Sequence, residues 1–210
     1  MGFGASNRFD TQFRKPRGFR GKLLIRGMNA GHRRLYAWGL AGFSIPSGER
    51  VLDVGCGGGE AIRMMLDNYP GTVVDGVDYS ADCVAMSRNR NKAYLGSRTT
   101  ICEGDVLALP FADSAYDVVT AFETIYFWPD LDVAFSQIAR VLSPGGRFLI
   151  VCESGDPSEN DWERRIEGMK IHTPTALKDR LSGLGFLILE DSRRSGSSEF
   201  RIIAQKRMNV

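Results

Sequence analysis

The chain has 210 residues, 43% hydrophobic and 25% charged, which fits one soluble globular domain that needs neither disulfide nor structural metal to fold. No apolar run approaches the roughly 18 residues that span a bilayer, and no apolar segment follows the first basic residues, so no membrane span or secretory leader is expected and a cytoplasmic location is. The net charge of +2 hides an asymmetry: residues 1–34 carry nine basic side chains against Asp10 alone, a net +8, leaving −6 on the remainder.

The first 20 residues, with Gly2, Gly4, Pro16 and Gly18 among charges, read as a basic arm. From Lys22 to Leu40 uneven helical spacing predicts one or two helices, interrupted near Gly27 or Gly31. After Pro46 the pattern changes. Val51–Val54 is a short apolar run ending in glycines, as a buried parallel strand should be, and Ala61–Asn68 is helical. Strand Thr72–Val77, helix Ala81–Tyr94 and strand Thr99–Cys102 follow, then strand Asp117–Ala121, helix Leu131–Leu142 and strand Phe148–Cys152. A polar stretch from Glu153 to Thr173 leads to a helix at Pro174–Ser182, stopped by Gly183 and Gly185. Strands Phe186–Glu190 and Phe200–Gln205, with no helix between them, pair as an antiparallel hairpin. Strict alternation from residue 51 to 152 gives a three-layer, doubly wound α/β fold. Its seven-stranded sheet is mostly parallel, with an antiparallel edge hairpin and a helical N-terminal extension. Residues 1–44 form the arm and a helical lid, and residues 45–210 the α/β domain. The four cysteines show no C-x-x-C spacing and His32 and His172 are too few for a His-rich site, so no metal site is expected.

The informative stretch is Asp53-Val54-Gly55-Cys56-Gly57-Gly58-Gly59, where a strand enters a glycine turn that opens a helix and offers backbone N–H groups to a ligand. Dinucleotide enzymes share such a turn. Asp78 follows the second strand, 19 residues past Gly59, where an acid accepts hydrogen bonds from ribose hydroxyls, and Tyr79 is placed to pack on an adenine face. In the nicotinamide register Glu60 occupies the place of the third glycine, which disfavours that cofactor.

Asp53-x-Gly55-x-Gly57-x-Gly59 resembles motif I of the class I S-adenosylmethionine-dependent methyltransferases. Asp78, Glu103-Gly104-Asp105-Val106 and Leu142-Ser143-Pro144-Gly145-Gly146 agree with that family's later motifs in order and spacing, over about residues 45–205. The resemblance implies S-adenosylmethionine as cofactor and S-adenosylhomocysteine as product. It puts Asp53, Gly55, Cys56 and Gly57 beside the methionine portion, and Asp78 and Tyr79 at the ribose and adenine. Asp105 and Val106 then meet the adenine, and Phe122 lies beneath the sulfonium.

The aromatic run after the fourth strand marks the acceptor side. Trp128 would wall a planar or apolar acceptor, while Glu123, Tyr126 and His172 are the candidate catalytic groups; Phe127 and Trp128 equally suit packing of the next helix on the sheet. Asn29, His32 and Tyr36 of the N-terminal helix are expected to line a lid over the cofactor. A small-molecule acceptor is expected, and nucleic acid is disfavoured because Glu123-Thr124-Ile125-Tyr126 stands where base-amino methyltransferases carry Asn/Asp-Pro-Pro-Tyr/Phe. A nucleic-acid acceptor held by the basic arm and a cofactor-binding relative without catalysis remain as alternatives. Apolar sheet-edge surface would suit a homodimer.

Overall fold

The computed structural model describes residues 32–158 and 161–208. Helix α1 covers residues 32–40. The remaining elements are β1 (Arg50–Val54), α2 (Glu60–Asn68), β2 (Val73–Asp78), α3 (Ala81–Arg90), β3 (Ile101–Glu103), β4 (Tyr116–Phe122), a 3-10 turn (Ile125–Phe127), α4 (Leu131–Val141), β5 (Leu142–Cys152), α5 (Trp162–Arg165), α6 (Pro174–Gly183), β6 (Phe186–Arg193) and β7 (Phe200–Lys206). The arm and the predicted helix before residue 32 lie outside the described residues. No helix of the described residues is long and apolar enough to cross a membrane.

The strands form one sheet in the order β3-β2-β1-β4-β5-β7-β6. β1 to β5 are parallel, while β7 runs antiparallel between β5 and β6. Side chains alternate across a strand, so Val51 and Leu52 of β1 enter different cores. Val51 joins Val118, Leu149 and Val151 with α2 and α1; Leu52 joins Val119, Ile150 and Cys152 with α4 and α6. Burial on both faces is why these strands read as continuous apolar runs. Leu35, Tyr36, Leu40 and Phe43 belong to the first of these cores, so α1 packs directly on the sheet.

Two of the boundaries that differ from the sequence reading do so for clear local reasons. β5 begins at Leu142, because Tyr116 pairs with Leu142 and Val118 with Arg147, leaving Ser143–Gly146 as a bulge. A Cβ on Gly146 would stand 2.8 Å from the Ser143 carbonyl, and Gly145 has φ +77°, so the glycine pair shapes that bulge. Helix α3 stops at Arg90 because the next residue, Asn91, turns its amide onto the Ser87 and Gly59 carbonyls (3.0 and 3.1 Å). The same amide ties α3 to the glycine turn.

Strand order reverses at β1, whose neighbours β2 and β4 lead to opposite sides of the sheet. That switch point opens a crevice at the carboxyl ends of the strands. The site lies there.

Candidate active site

The turn after β1 is built by positions that demand glycine. Gly55 has φ +73°, donates its N–H to the Val77 carbonyl (2.8 Å), and would place a Cβ 1.9 Å from Thr124 Oγ1. Gly57, at φ +50°, has nothing within 4 Å of where a Cβ would stand, so its outer side faces open space. Its N–H donates to Asp78 Oδ2 (2.8 Å), and Ser80 N–H donates to Asp78 Oδ1 (2.9 Å). Asp78 is thereby locked to the turn at the end of β2. Burial raises its pKa, against the pull of those two N–H donors.

One cavity gathers the predicted cofactor residues: Asp53, Gly55, Cys56, Gly57, Asp78, Tyr79, Asp105, Val106 and Phe122 all line it. Asp53 is 2% exposed, accepts the Thr120 hydroxyl at 2.7 Å, and is pushed by burial to a pKa of about 7. Asp105 accepts the Leu107 N–H at 2.9 Å, which holds the loop after β3. Burial holds the Cys56 thiol well above its usual pKa, so it remains a neutral spacer.

The other end of the cavity is formed by α1 and the segment after β4. His32 and Tyr36 line it with Glu123, Thr124, Phe127, Trp128 and Pro129. Tyr36 packs on Phe122 with ring centres 5.0 Å apart. Trp128 lines the cavity and also meets Phe135 of α4 edge-on at 6.1 Å. Glu123 adopts φ +57°, an uncommon conformation for a residue with a Cβ. Burial lifts its carboxyl to about 7, although His32 pulls the other way. His32 Nε2 lies 3.8 Å from Glu123 Oε2 and 3.5 Å from Glu153 Oε2.

Two catalytic candidates take other positions. Tyr126 does not line the cavity: its O–H donates to the Ser154 carbonyl (3.0 Å) and its oxygen accepts the Ser154 N–H (2.9 Å), with Glu123 Oε1 3.4 Å away. Tyr126 therefore ties the 3-10 turn to the segment after β5. His172 does not reach the cavity either. Its segment is held elsewhere by buried Ile171 and by the Lys170 N–H bonded to the Tyr126 carbonyl (2.8 Å). Burial and nearby Lys170 and Arg180 lower its pKa to about 4. Asn29 lies outside the described residues.

Glu60 and Glu153 were not among the sequence candidates. Glu60 opens α2, lines the cavity and is paired with Arg90 and with Arg33 (3.6 Å). Glu153 follows β5 and donates its N–H to Glu123 Oε1. Its position just past a strand's carboxyl end, beside β4, was the available signal.

These features, a glycine turn after β1, an acid locked to it after β2, and a reversed last strand inserted beside β5, define the class I methyltransferase architecture. Residues 52–150 match a family model described as a methyltransferase domain. In fold and in this match the chain is similar to the class I S-adenosylmethionine-dependent methyltransferases. It is 35% identical over 103 residues to demethylmenaquinone methyltransferase of Thermus thermophilus, covering 49% of this chain and 46% of the relative. It is 40% identical over 106 residues to 27-O-demethylrifamycin SV methyltransferase of Amycolatopsis mediterranei, covering 50% and 38%. These matches span less than half the length of either relative. Geranyl diphosphate C-methyltransferase of Streptomyces coelicolor, solved with Mg2+, geranyl-S-thiolodiphosphate and S-adenosylhomocysteine, shares the fold with a TM-score of 0.70 at 16% identity, over 84% of this chain and 76% of that one.

Proposed function

We propose that this protein transfers a methyl group from S-adenosylmethionine to a small-molecule acceptor by direct displacement. The observation that carries the reading is Asp78, fixed by Gly57 and Ser80 N–H groups at the mouth of the glycine turn, on the same cavity as Asp53 and Asp105. The cavity's charge agrees. Among the described residues its lining holds Asp53, Glu60, Asp78, Asp105 and Glu123 and no Lys or Arg, a setting that favours a cationic cofactor. The open side of Gly57 leaves room for a ligand to approach the backbone.

When bound, S-adenosylmethionine supplies an electrophilic methyl group and leaves as S-adenosylhomocysteine. The chain's own part is to bind, orient and exclude water. Asp78 accepts from the ribose hydroxyls, Tyr79, Asp105 and Val106 hold the adenine, and Asp53 faces the amino end of the methionine portion. Phe122 lies under the sulfonium. His32, Tyr36, Phe127 and Trp128 wall the acceptor end, where Glu123 is the carboxylate that meets the acceptor's polar group.

The small-molecule reading is supported by this aromatic-walled end and by the names of the two relatives above. The test is transfer of radiolabelled methyl groups into quinols, phenols and polyketide alcohols, with an RNA pool in parallel. Label in a small acceptor and none in RNA is the expected result. Label confined to RNA would contradict the acceptor class, and cofactor binding with no label anywhere would favour a relative without catalysis.

A further inference from the structure

We propose that His32 Nε2, Glu123 Oε2 and Glu153 Oε2 bind one divalent first-row transition-metal ion at the acceptor end of the cavity. The three side chains come from α1, from the residue after β4 and from the residue after β5. Pairing of Phe122 with Val151 brings the ends of the two strands together, so Glu123 and Glu153 leave the sheet side by side. The imidazole is 3.5 Å from one carboxylate and 3.8 Å from the other, and the ligand atoms all lie within 4.8 Å of one another. Metal bonds of about 2.0–2.2 Å to such N and O ligands call for closely grouped donors, which small side-chain rotations here supply.

The surroundings favour an ion. The Glu123 side chain is 8% exposed, its Oε1 takes the Glu153 N–H and stands 3.4 Å from the Tyr126 hydroxyl, and Tyr126 is itself bonded twice to Ser154. That support fixes the carboxylate and leaves Oε2 as the oxygen turned to His32, as groups behind a metal ligand do. Two carboxylates converge on one imidazole nitrogen, which carries at most one proton to share. Among the described residues no Lys or Arg pairs with either glutamate. A metal ion displaces a proton from imidazole and takes its lone pair, which an ammonium group cannot do. One imidazole with two carboxylates suits Mn2+, Fe2+ or Zn2+ better than Ca2+ or Mg2+. Three protein ligands leave coordination positions open, and an acceptor hydroxyl or enol oxygen entering one of them would lose its proton more readily. Only this last role rests on the methyl-transfer reading; ion binding does not.

The experiment uses the full chain, stripped with a chelator and dialysed, then titrated with Mn2+ by electron paramagnetic resonance and separately with Zn2+ by calorimetry. S-adenosylhomocysteine binding is measured on the same samples. The expected result is one ion per chain, with affinity falling at least tenfold in Glu153→Gln, Glu123→Gln and His32→Ala and unchanged in Asp156→Asn. Glu153 lies off the cavity lining, so Glu153→Gln should keep its S-adenosylhomocysteine binding, which separates a lost ligand from a lost fold. No stoichiometric uptake of either ion by the wild type, or uptake unaffected by Glu153→Gln, overturns the site. A wild type that binds S-adenosylhomocysteine but no ion loses this inference alone, whereas one that binds the ion but no cofactor loses the methyl-transfer reading.

Discussion

Asp53 is nearly sealed from solvent between neighbouring strands, and burial places its ionisation near pH 7 rather than in the usual carboxylate range. The amino group of a bound methionine portion favours the ionised form. S-adenosylmethionine affinity should therefore fall as pH drops below about 7, approaching tenfold per pH unit at the limit, and Asp53→Asn should flatten the profile in calorimetric titrations across pH 5.5–8.5. The stability of the free protein should follow the opposite trend. Folded Asp53 keeps its proton where the unfolded chain has lost it, so this group's stabilisation is full below about pH 4 and declines as pH rises through 7. Urea midpoints of wild type and Asp53→Asn should diverge over that window, the variant being the more stable at pH 8. A lack of divergence would contradict the raised pKa.

Gly55 makes a second test at this scale. Alanine there meets Thr124 Oγ1 and must also hold φ +73°, so Gly55→Ala should lose about 2–4 kcal/mol in urea unfolding. Adding Thr124→Ala should restore only the part due to the clash, because the backbone strain stays. Full restoration would assign the whole cost to Thr124.

At the scale of elements, α1 matters because it carries His32 and Tyr36 to the cavity, and one side chain from the far end of the chain holds it. Arg201 of β7 donates to the carbonyls of Trp38, Gly39 and Ala41 (3.3, 3.1 and 2.6 Å) and pairs with Glu190 of β6. Trp38 and Gly39 belong to the last turn of α1 and Ala41 follows it, the end at which helix carbonyls lack intrahelical i+4 partners. Arg201→Ala should speed amide exchange in residues 35–40 by tenfold or more while leaving β1 and β4 protected; unchanged exchange would mean that the apolar face of α1 suffices. Elements of this kind were partly legible in the sequence. Val51–Val54, the glycine turn and Asp78 could be read because their signals are local: a doubly buried run, positive-φ positions and a fixed spacing. The Arg201 clamp could not, since 160 residues separate Arg201 from Ala41. The clustering of residues 32, 123 and 153 escaped for the same reason. That His172 lies off the cavity was not legible, because nothing in its local sequence reveals that Ile171 is drawn into the core.

For the molecule as a whole, the reversal of strand order at β1 creates one crevice, and the ends of β1, β2, β3 and β4 deliver a carboxylate each to it: Asp53, Asp78, Asp105 and Glu123. An acidic cavity with a glycine-lined wall suits a cationic nucleoside, the ligand proposed above. The most direct measurement is a calorimetric titration of wild type and Asp78→Ala with S-adenosylmethionine and S-adenosylhomocysteine. Saturable one-to-one binding by the wild type, weakened about ten- to a hundredfold in the variant as hydrogen bonds to a charged group are lost, is the predicted result. Folded wild type that takes up neither compound, or a variant that binds both as tightly, would contradict it.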